Sequence, residues 1–123
     1  MSEYHSKPGN AGIKRVIKAT GYSVKGIKSA FQSEAAIRQE LALCLIFIPI
    51  AFYLDISKLE TLALVGTLVF IFILELINSA IEAVVDRIGP EHHELSGKAK
   101  DIGSAAVMVA ILFAIFTWLL ILV

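Results

Sequence analysis

A run of polar side chains interrupts an otherwise apolar stretch in the middle of this 123-residue sequence. The run is ELINSAIEAVVD, residues 75–86, and it follows LALVGTLVFIFIL, residues 62–74, in which threonine is the most polar residue. Carboxylates, an amide and a hydroxyl can hydrogen bond between helices, relay protons or bind a hard cation such as Mg²⁺. Three alternatives therefore arise: a hydrogen-bonded seam between helices, a proton or ion path, and a metal and phosphate site at a membrane surface.

The polar residues of this run occupy one face of a helix. At about 100° per residue, Asn78, Ser79, Glu82 and Asp86 lie with Glu75 in an arc of about 100°. We call these five residues the polar stripe. The apolar run before them contains nothing that would continue the stripe through a membrane, which argues against a channel or a pump.

A second polar cluster precedes the last apolar segment. The sequence SGKAKDIGS places Gly97, Asp101 and Ser104 on one face of a helix, and Lys100 stands beside Asp101. Glycine allows close approach of a ligand, and carboxylates with a lysine suit a magnesium-bound polyphosphate. The sequence has neither a Walker A loop nor a protein-kinase glycine-rich loop, so a phosphotransferase would belong to neither common class.

The elements that must position these residues are membrane helices. The sequence is 57% hydrophobic and 18% charged, whereas about a quarter of a typical soluble domain is charged. A membrane span requires about 20 apolar residues, and we predict spans over residues 36–54, 62–85 and 103–123. Apolar residues at helical spacing, with lysines mostly on the other faces, predict an amphipathic surface helix over residues 12–33. A disordered tail over residues 1–11 completes a single predicted domain.

Basic residues are concentrated in the first part of the chain. Seven of the eleven lysines and arginines lie between Lys7 and Arg38, and none follows Lys100. The positive-inside rule therefore places the N-terminus and the second connection in the cytoplasm and the C-terminus outside.

Cysteine and histidine carry little chemistry on their own. Cys44 is the only cysteine, which excludes a disulfide within one chain. The sequence shows no third metal ligand near His92 and His93, which therefore make a poor transition-metal site. They are either solvated loop residues or contacts to a phosphate or adenine.

The segments ELINSAIEAVVDRIG and EHHELSGKAKDIGSAAV resemble the prokaryotic diacylglycerol kinase family. The segment RVIKATGYSVKGIKSAFQSEAAIRQE has matching spacing, so the resemblance extends from about Ile13 to the C-terminus. It implies an all-α membrane protein, a homotrimer in which each subunit has three transmembrane helices and an N-terminal amphipathic surface helix. It also implies a bacterial inner-membrane enzyme that transfers the γ-phosphate of MgATP to diacylglycerol, giving phosphatidic acid and ADP in phospholipid recycling. No nucleic acid partner is implied.

The resemblance also implies roles for individual residues. The general base would be Glu75, with Asn78 in the catalytic motif, and Mg²⁺ would be bound by Glu34 and Glu82. The implied ATP contacts are Arg15, Tyr22, Glu34, Glu82, Glu91, His92, His93, Lys100 and Asp101. The implied lipid contacts are Arg15, Ala19, Ser23, Ala30, Phe31, Arg38, Gln39, Glu40, Glu75, Ser104 and Trp118. The chain departs from the family pattern at His92, where tyrosine is common, and at Phe31, where tryptophan is common.

The depths of the glutamates fit these roles. Glu75 lies about two helical turns deeper than Glu82, at the level where a base must meet a lipid hydroxyl. Glu34, expected at the end of the surface helix, can complete a metal site only if that helix folds over the bundle. Two alternatives remain: an undecaprenol kinase of the same family, and a non-catalytic membrane assembly protein whose polar stripe only pairs helices.

Overall fold

Every regular element in the described part of the chain is an α-helix. The computed structural model describes residues 11–89 and 93–123. The helices are α1 (Ala11–Ser33), α2 (Ala35–Tyr53), α3 (Lys58–Ile88) and α4 (Glu94–Leu122). The chain divides into two compact units, Met1–Ser33 and Glu34–Val123, so that α1 lies in one unit and the other three helices lie in the second. All of the predicted tail except Ala11 lies outside the described residues.

Three of these helices, α2, α3 and α4, are long and apolar enough to cross a membrane. This confirms the predicted all-α class with three candidate spans. Both α3 and α4 are longer than the apolar segments that predicted them, because their polar ends continue the helix. In α4 this extension begins at Glu94, well before the predicted span, and it carries the second polar cluster on a helix.

Local sequence sets both ends of α3. At its start, Ser57 Oγ accepts a hydrogen bond of 3.1 Å from the Glu60 amide, and the Glu60 carboxylate accepts one of 3.1 Å from the Ser57 amide. This reciprocal pair is a capping box. At its end, Gly89 has φ 155° and ψ 160°, a conformation that is essentially restricted to glycine. Pro90 follows in the sequence and lacks the amide hydrogen that a helix interior requires.

The helix α3 packs against both α2 and α4. Its contact with α4 buries Ile71 against Ala110 and Ala114, and Leu74 packs on the same cluster. Small residues such as these alanines allow helix backbones to approach closely where no water is present. Leu64, on the N-terminal half of α3, has no exposed surface.

One group of side chains joins all three helices of the larger unit. Trp118 Nε1 on α4 donates a hydrogen bond of 3.1 Å to Thr67 Oγ1 on α3. The Thr67 hydroxyl in turn donates to the Leu64 carbonyl oxygen at 2.7 Å. The Trp118 ring meets Phe47 of α2 edge-on, with 5.6 Å between ring centroids. We call Phe47, Thr67 and Trp118 the Trp118 cluster. It involves the N-terminal half of α3, whereas the polar stripe occupies the C-terminal half.

Candidate functional site

The polar stripe lies on the face of α3 that is partly covered by the rest of its unit. Glu75, Asn78, Ser79 and Glu82 are half-buried, and Asp86, near the helix end, is exposed. The opposite face is apolar and exposed, and it carries Ile73, Ile77 and Val84. The structure therefore turns the polar face toward protein and leaves the apolar face outward, as suits a helix in lipid.

The charges of four carboxylates, two of them in the stripe, act on one another near its middle. The charge of Glu75 interacts with those of Glu82 and Glu34, and also with that of Glu40. Glu40 is 6% exposed, and its Oε1 accepts a hydrogen bond from Cys44 Sγ at 3.6 Å. Like charges repel one another most strongly in surroundings of low dielectric constant, so a bound cation would stabilise this group.

Glu34 joins this group from the junction of α1 and α2. It was predicted at the end of the surface helix, and it lies directly after Ser33, with φ −117° and ψ 113°, as the N-cap residue of α2. Its side chain makes no capping hydrogen bond, and it belongs to the same unit as the polar stripe. Its carboxylate therefore interacts with Glu75 through the start of α2, and no contact from α1 is needed for this.

Asn78 connects the stripe to α4. Its Nδ2 donates a hydrogen bond of 3.2 Å to Glu82 Oε1. Its Oδ1 is buried and accepts no hydrogen bond from the described residues, an arrangement that costs about 1–3 kcal/mol. Gly103 of α4 lies against this oxygen so closely that a Cβ atom there would collide with it. The amide is thus confined between a glutamate on its own helix and a glycine on the next.

Lys100 bridges the two helices where α3 ends and α4 begins. Its Nζ lies 2.7 Å from Asp86 Oδ1, and the two side chains are 42% and 67% exposed. The charge of Glu82 also acts on this ammonium group. The positively charged side chain of Lys100 therefore lies at the open end of the stripe, where it interacts with Glu82. The family resemblance assigns Glu82 to metal binding.

The structure gives no contact between the polar stripe and the other predicted nucleotide-binding residues that it describes in this unit. His93 is the N-cap residue of α4, where its Nδ1 accepts a hydrogen bond of 3.1 Å from the Leu95 amide. Asp101 is exposed on α4. Glu91 and His92 lie outside the described residues.

The predicted lipid contacts on this unit differ in exposure. Arg38 and Gln39 on α2 and Ser104 on α4 are exposed. Glu40 is buried among protein atoms, and the indole N–H of Trp118 is bonded to threonine in the Trp118 cluster.

A third group of predicted contacts lies on α1, in the other unit. These residues are Arg15, Ala19, Tyr22, Ser23, Ala30 and Phe31. The hydroxyl of Ser23 donates to the Ala19 carbonyl oxygen at 2.8 Å, within the helix. Since α1 forms a unit of its own, these contacts to nucleotide and lipid stay predictions.

The donor atoms of the stripe suit Mg²⁺ when phosphate oxygens complete its coordination. Within residues 11–89 and 93–123, no three His, Cys, Asp or Glu side chains converge closely enough to hold a metal ion by themselves. Mg²⁺ is usually held by one or two carboxylates together with substrate phosphates, and it prefers oxygen ligands. Glu34 and Glu82, whose charges both act on Glu75, match that requirement in chemistry and in number.

Three contacts of the site leave no signal in the sequence. Glu40 belongs to the carboxylate group, Gly103 faces Asn78, and Lys100 pairs with Asp86. Each contact joins residues on different helices, and the helical period alone does not specify which faces of two helices meet.

Comparison with known proteins identifies relatives along almost the whole chain. The family model described as prokaryotic diacylglycerol kinase matches residues 21–122. The diacylglycerol kinase of Escherichia coli (strain K12) is 51% identical over 111 residues, which cover 90% of this chain and 91% of that protein. That of Pseudomonas aeruginosa is 48% identical over 110 residues, 89% of each chain. That of Helicobacter pylori (strain J99) is 41% identical over 118 residues, 96% of this chain and 92% of that protein. The matched region includes both polar clusters.

Proposed function

The chain belongs to the prokaryotic diacylglycerol kinase family, and we propose that it transfers the γ-phosphate of MgATP to diacylglycerol. The products are phosphatidic acid and ADP. The observation that carries this proposal is the position of Glu75, a half-buried carboxylate in the middle of a membrane-capable helix with other carboxylates around it. Diacylglycerol presents its hydroxyl at the membrane interface, and a carboxylate on such a helix can lie at the depth of that hydroxyl.

Glu75 is the general base of the proposed reaction. The hydroxyl proton of diacylglycerol passes to the Glu75 carboxylate as the hydroxyl oxygen bonds to the γ-phosphorus. The bond between that phosphorus and the bridging oxygen breaks, and ADP leaves with the bonding electrons. Such a reaction needs chiefly positioning and charge stabilisation, so a small helical scaffold is sufficient.

Glu82 and Glu34 hold Mg²⁺ in this proposal. When bound with ATP, the ion neutralises charge on the phosphate oxygens. Lys100 lies within the field of Glu82 and supplies a further positive charge for the phosphates. Asn78 donates a hydrogen bond to Glu82 and so fixes the direction of that carboxylate.

The remaining contacts are proposed from family resemblance. The nucleotide would also meet Arg15, Tyr22, Glu91, His92, His93 and Asp101. The lipid would meet Arg15, Ala19, Ser23, Ala30, Phe31, Arg38, Gln39, Glu40, Ser104 and Trp118. The buried position of Glu40 beside Glu75 supports a role near the lipid hydroxyl in preference to one in the headgroup region.

The protein is a multi-pass membrane protein, and we place it in the bacterial inner membrane as a homotrimer. The basic residues before the first span support a cytoplasmic N-terminus and second connection, with the C-terminus outside. In this orientation the open end of the polar stripe faces cytoplasmic ATP. Assembly into trimers would cover further polar surface of the stripe, and α1 would lie as an amphipathic helix on the membrane surface.

Diacylglycerol is favoured over undecaprenol as the acceptor, because the relatives that cover nine tenths of the chain are named diacylglycerol kinases. Membership of a kinase family likewise favours an enzyme over a non-catalytic assembly protein.

A transfer assay with two lipids tests the proposal. Purified protein in mixed micelles is given radiolabelled ATP, Mg²⁺ and either diacylglycerol or undecaprenol. We expect labelled phosphatidic acid and much slower labelling of undecaprenol. Preferential labelling of undecaprenol would overturn the choice of acceptor, and labelling of neither lipid would overturn the kinase assignment.

A further inference from the structure

Gly103, in the larger unit, differs from the other described helical glycines in its surroundings. A Cβ atom built at Gly103 would collide with Asn78 Oδ1 and lie 3.2 Å from Asn78 Cγ. The next neighbour, Ile81 Cδ1, would be 3.7 Å away, an ordinary contact. Built at the other helical glycines of the described chain, such as Gly66 and Gly97, the same atom would meet nothing within 4 Å. Only the carboxamide of Asn78 therefore excludes a side chain at position 103.

The carboxamide cannot turn aside without losing its contact with Glu82. Its Nδ2 donates to Glu82 Oε1 at 3.2 Å, and the two residues lie one turn apart on α3. Rotating the amide by half a turn would place Oδ1 against the glutamate carboxylate, where two acceptors would repel. The observed orientation instead directs Oδ1 at Gly103, where it is buried and accepts no hydrogen bond from the described residues.

We propose that Gly103 is a positioning residue for the phosphoryl transfer. The absence of a side chain at position 103 leaves room for the Asn78 carboxamide in the orientation that donates a hydrogen bond to Glu82. The three atoms nearest to a Cβ at Gly103 belong to Asn78 and Ile81 and not to the proposed base or metal ligands, so Gly103 acts through Asn78. The chain of contacts runs from the backbone of α4 to a carboxylate of α3, so the packing of these two helices fixes the direction of Glu82. This inference rests on the proposed role of Glu82 with Mg²⁺ and the phosphates.

The test compares Gly103→Ala with Gly66→Ala. Both substitutions put alanine for glycine in a helix and so favour the helix equally, but only the first meets a neighbour. In Gly103→Ala we expect the Mg²⁺ concentration for half-maximal activity to rise about tenfold or more, as when a partner of a metal ligand is lost. The KM for diacylglycerol should stay at the wild-type value, as should both constants in Gly66→Ala. A purely structural defect would lower kcat without changing the Mg²⁺ requirement.

A second readout does not depend on turnover. Mn²⁺ with ADP should raise the unfolding temperature of the wild-type protein in detergent, because a ligand that binds the folded state stabilises it. The rise should be smaller in Gly103→Ala and unchanged in Gly66→Ala. If the wild-type protein phosphorylates no lipid, the proposed function fails, while this measurement still decides the inference about Gly103.

The variant Asn78→Ala/Gly103→Ala identifies the group with which the new side chain collides. Removing the carboxamide removes the collision, so the double variant should have the same Mg²⁺ requirement and the same unfolding temperature as Asn78→Ala. If Gly103→Ala fails to assemble, recovery of assembly in the double variant supports the inference. A wild-type Mg²⁺ requirement and Mn²⁺ response in Gly103→Ala would overturn it. So would a double variant that is worse than Asn78→Ala.

Discussion

The polar side chains in the two halves of α3 differ in whether their hydrogen-bonding groups and charges are paired. In the N-terminal half, the Trp118 cluster satisfies its polar groups: the indole N–H of Trp118 bonds to Thr67, and the Thr67 hydroxyl bonds to a backbone carbonyl. In the C-terminal half, Asn78 Oδ1 is buried and accepts no hydrogen bond from the described residues, and Glu75 is repelled by neighbouring carboxylates.

This difference separates stability from function within one helix. A satisfied hydrogen bond between helices stabilises the fold and leaves no unpaired polar group to bind a ligand. Unpaired acceptors and crowded carboxylates destabilise the protein alone and become favourable once a cation and phosphates are bound. Substitutions in the stripe should therefore change catalysis more than stability, and substitutions in the Trp118 cluster should do the reverse.

Apart from loss of the proposed base, the largest of the effects that sharpen this contrast is expected from Glu82→Ala. Loss of this carboxylate should reduce kcat by about 100-fold or more, as for other losses of transition-state charge stabilisation, and it should weaken Mg²⁺ binding, so that a higher Mg²⁺ concentration is needed for half-maximal activity. Steady-state kinetics over a Mg²⁺ titration measure both. Asp55→Asn, which removes an exposed carboxylate from the connection between α2 and α3, is the matched control. An unchanged Mg²⁺ titration in Glu82→Ala would refute its role.

A smaller effect is expected at the ion pair between Lys100 and Asp86. Lys100→Ala should raise the KM for ATP about tenfold, the value of one charged hydrogen bond to a phosphate. Asp86→Asn should lower that KM, because the lysine then has no competing carboxylate. Unfolding free energies should change little in either variant, since the pair is largely exposed and solvent screens it.

Lys98→Ala is the control for charge, because this lysine lies two residues before Lys100 on α4 and is exposed. If Lys98→Ala raised the KM for ATP as much as Lys100→Ala does, a general electrostatic attraction would explain the result, and the specific role of Lys100 would be wrong.

The smallest effect is expected from Thr67→Val, and it concerns stability alone. The valine has nearly the same shape but cannot accept the hydrogen bond from Trp118, so unfolding in SDS should cost about 1 kcal/mol less. The kcat and the Mg²⁺ requirement of the folded enzyme should not change. In the control Thr117→Val, the lost hydroxyl bonds only to the Phe113 carbonyl oxygen of its own helix, so its effect on stability should be smaller. Equal losses in both variants would contradict the stabilising role of the bond between helices.

Local patterns in the sequence predicted the elements but not their contacts. Periodicity predicted the polar stripe, and the lengths of the apolar segments predicted the three membrane-capable helices, because each pattern is contained in one helix. The capping box of Ser57 and Glu60 was likewise accessible from its spacing, although it was not predicted. The packing of Gly103 on Asn78 was not accessible, since it depends on which faces of α3 and α4 meet.

The surroundings of individual site residues became visible only with the packed helices. Glu34 was predicted at the end of the surface helix, and the structure adds that it also starts α2 as an N-cap residue. Glu40 was assigned to the lipid, and its burial beside Glu75 became visible only when α2 was packed on α3. Family resemblance supplied the roles, and the structure supplied neighbours for those residues in the larger unit.

The most direct test of the central claim is to measure phosphate transfer and unfolding free energy on the same preparation of Glu75→Gln. The amide retains the shape of the glutamate but cannot accept the hydroxyl proton. Transfer to diacylglycerol should fall by about 100- to 10,000-fold, the usual contribution of a general base. The unfolding free energy should be equal to or above that of the wild type, because the repulsion among the carboxylates is reduced. Turnover at the wild-type rate in a folded Glu75→Gln protein would contradict the account.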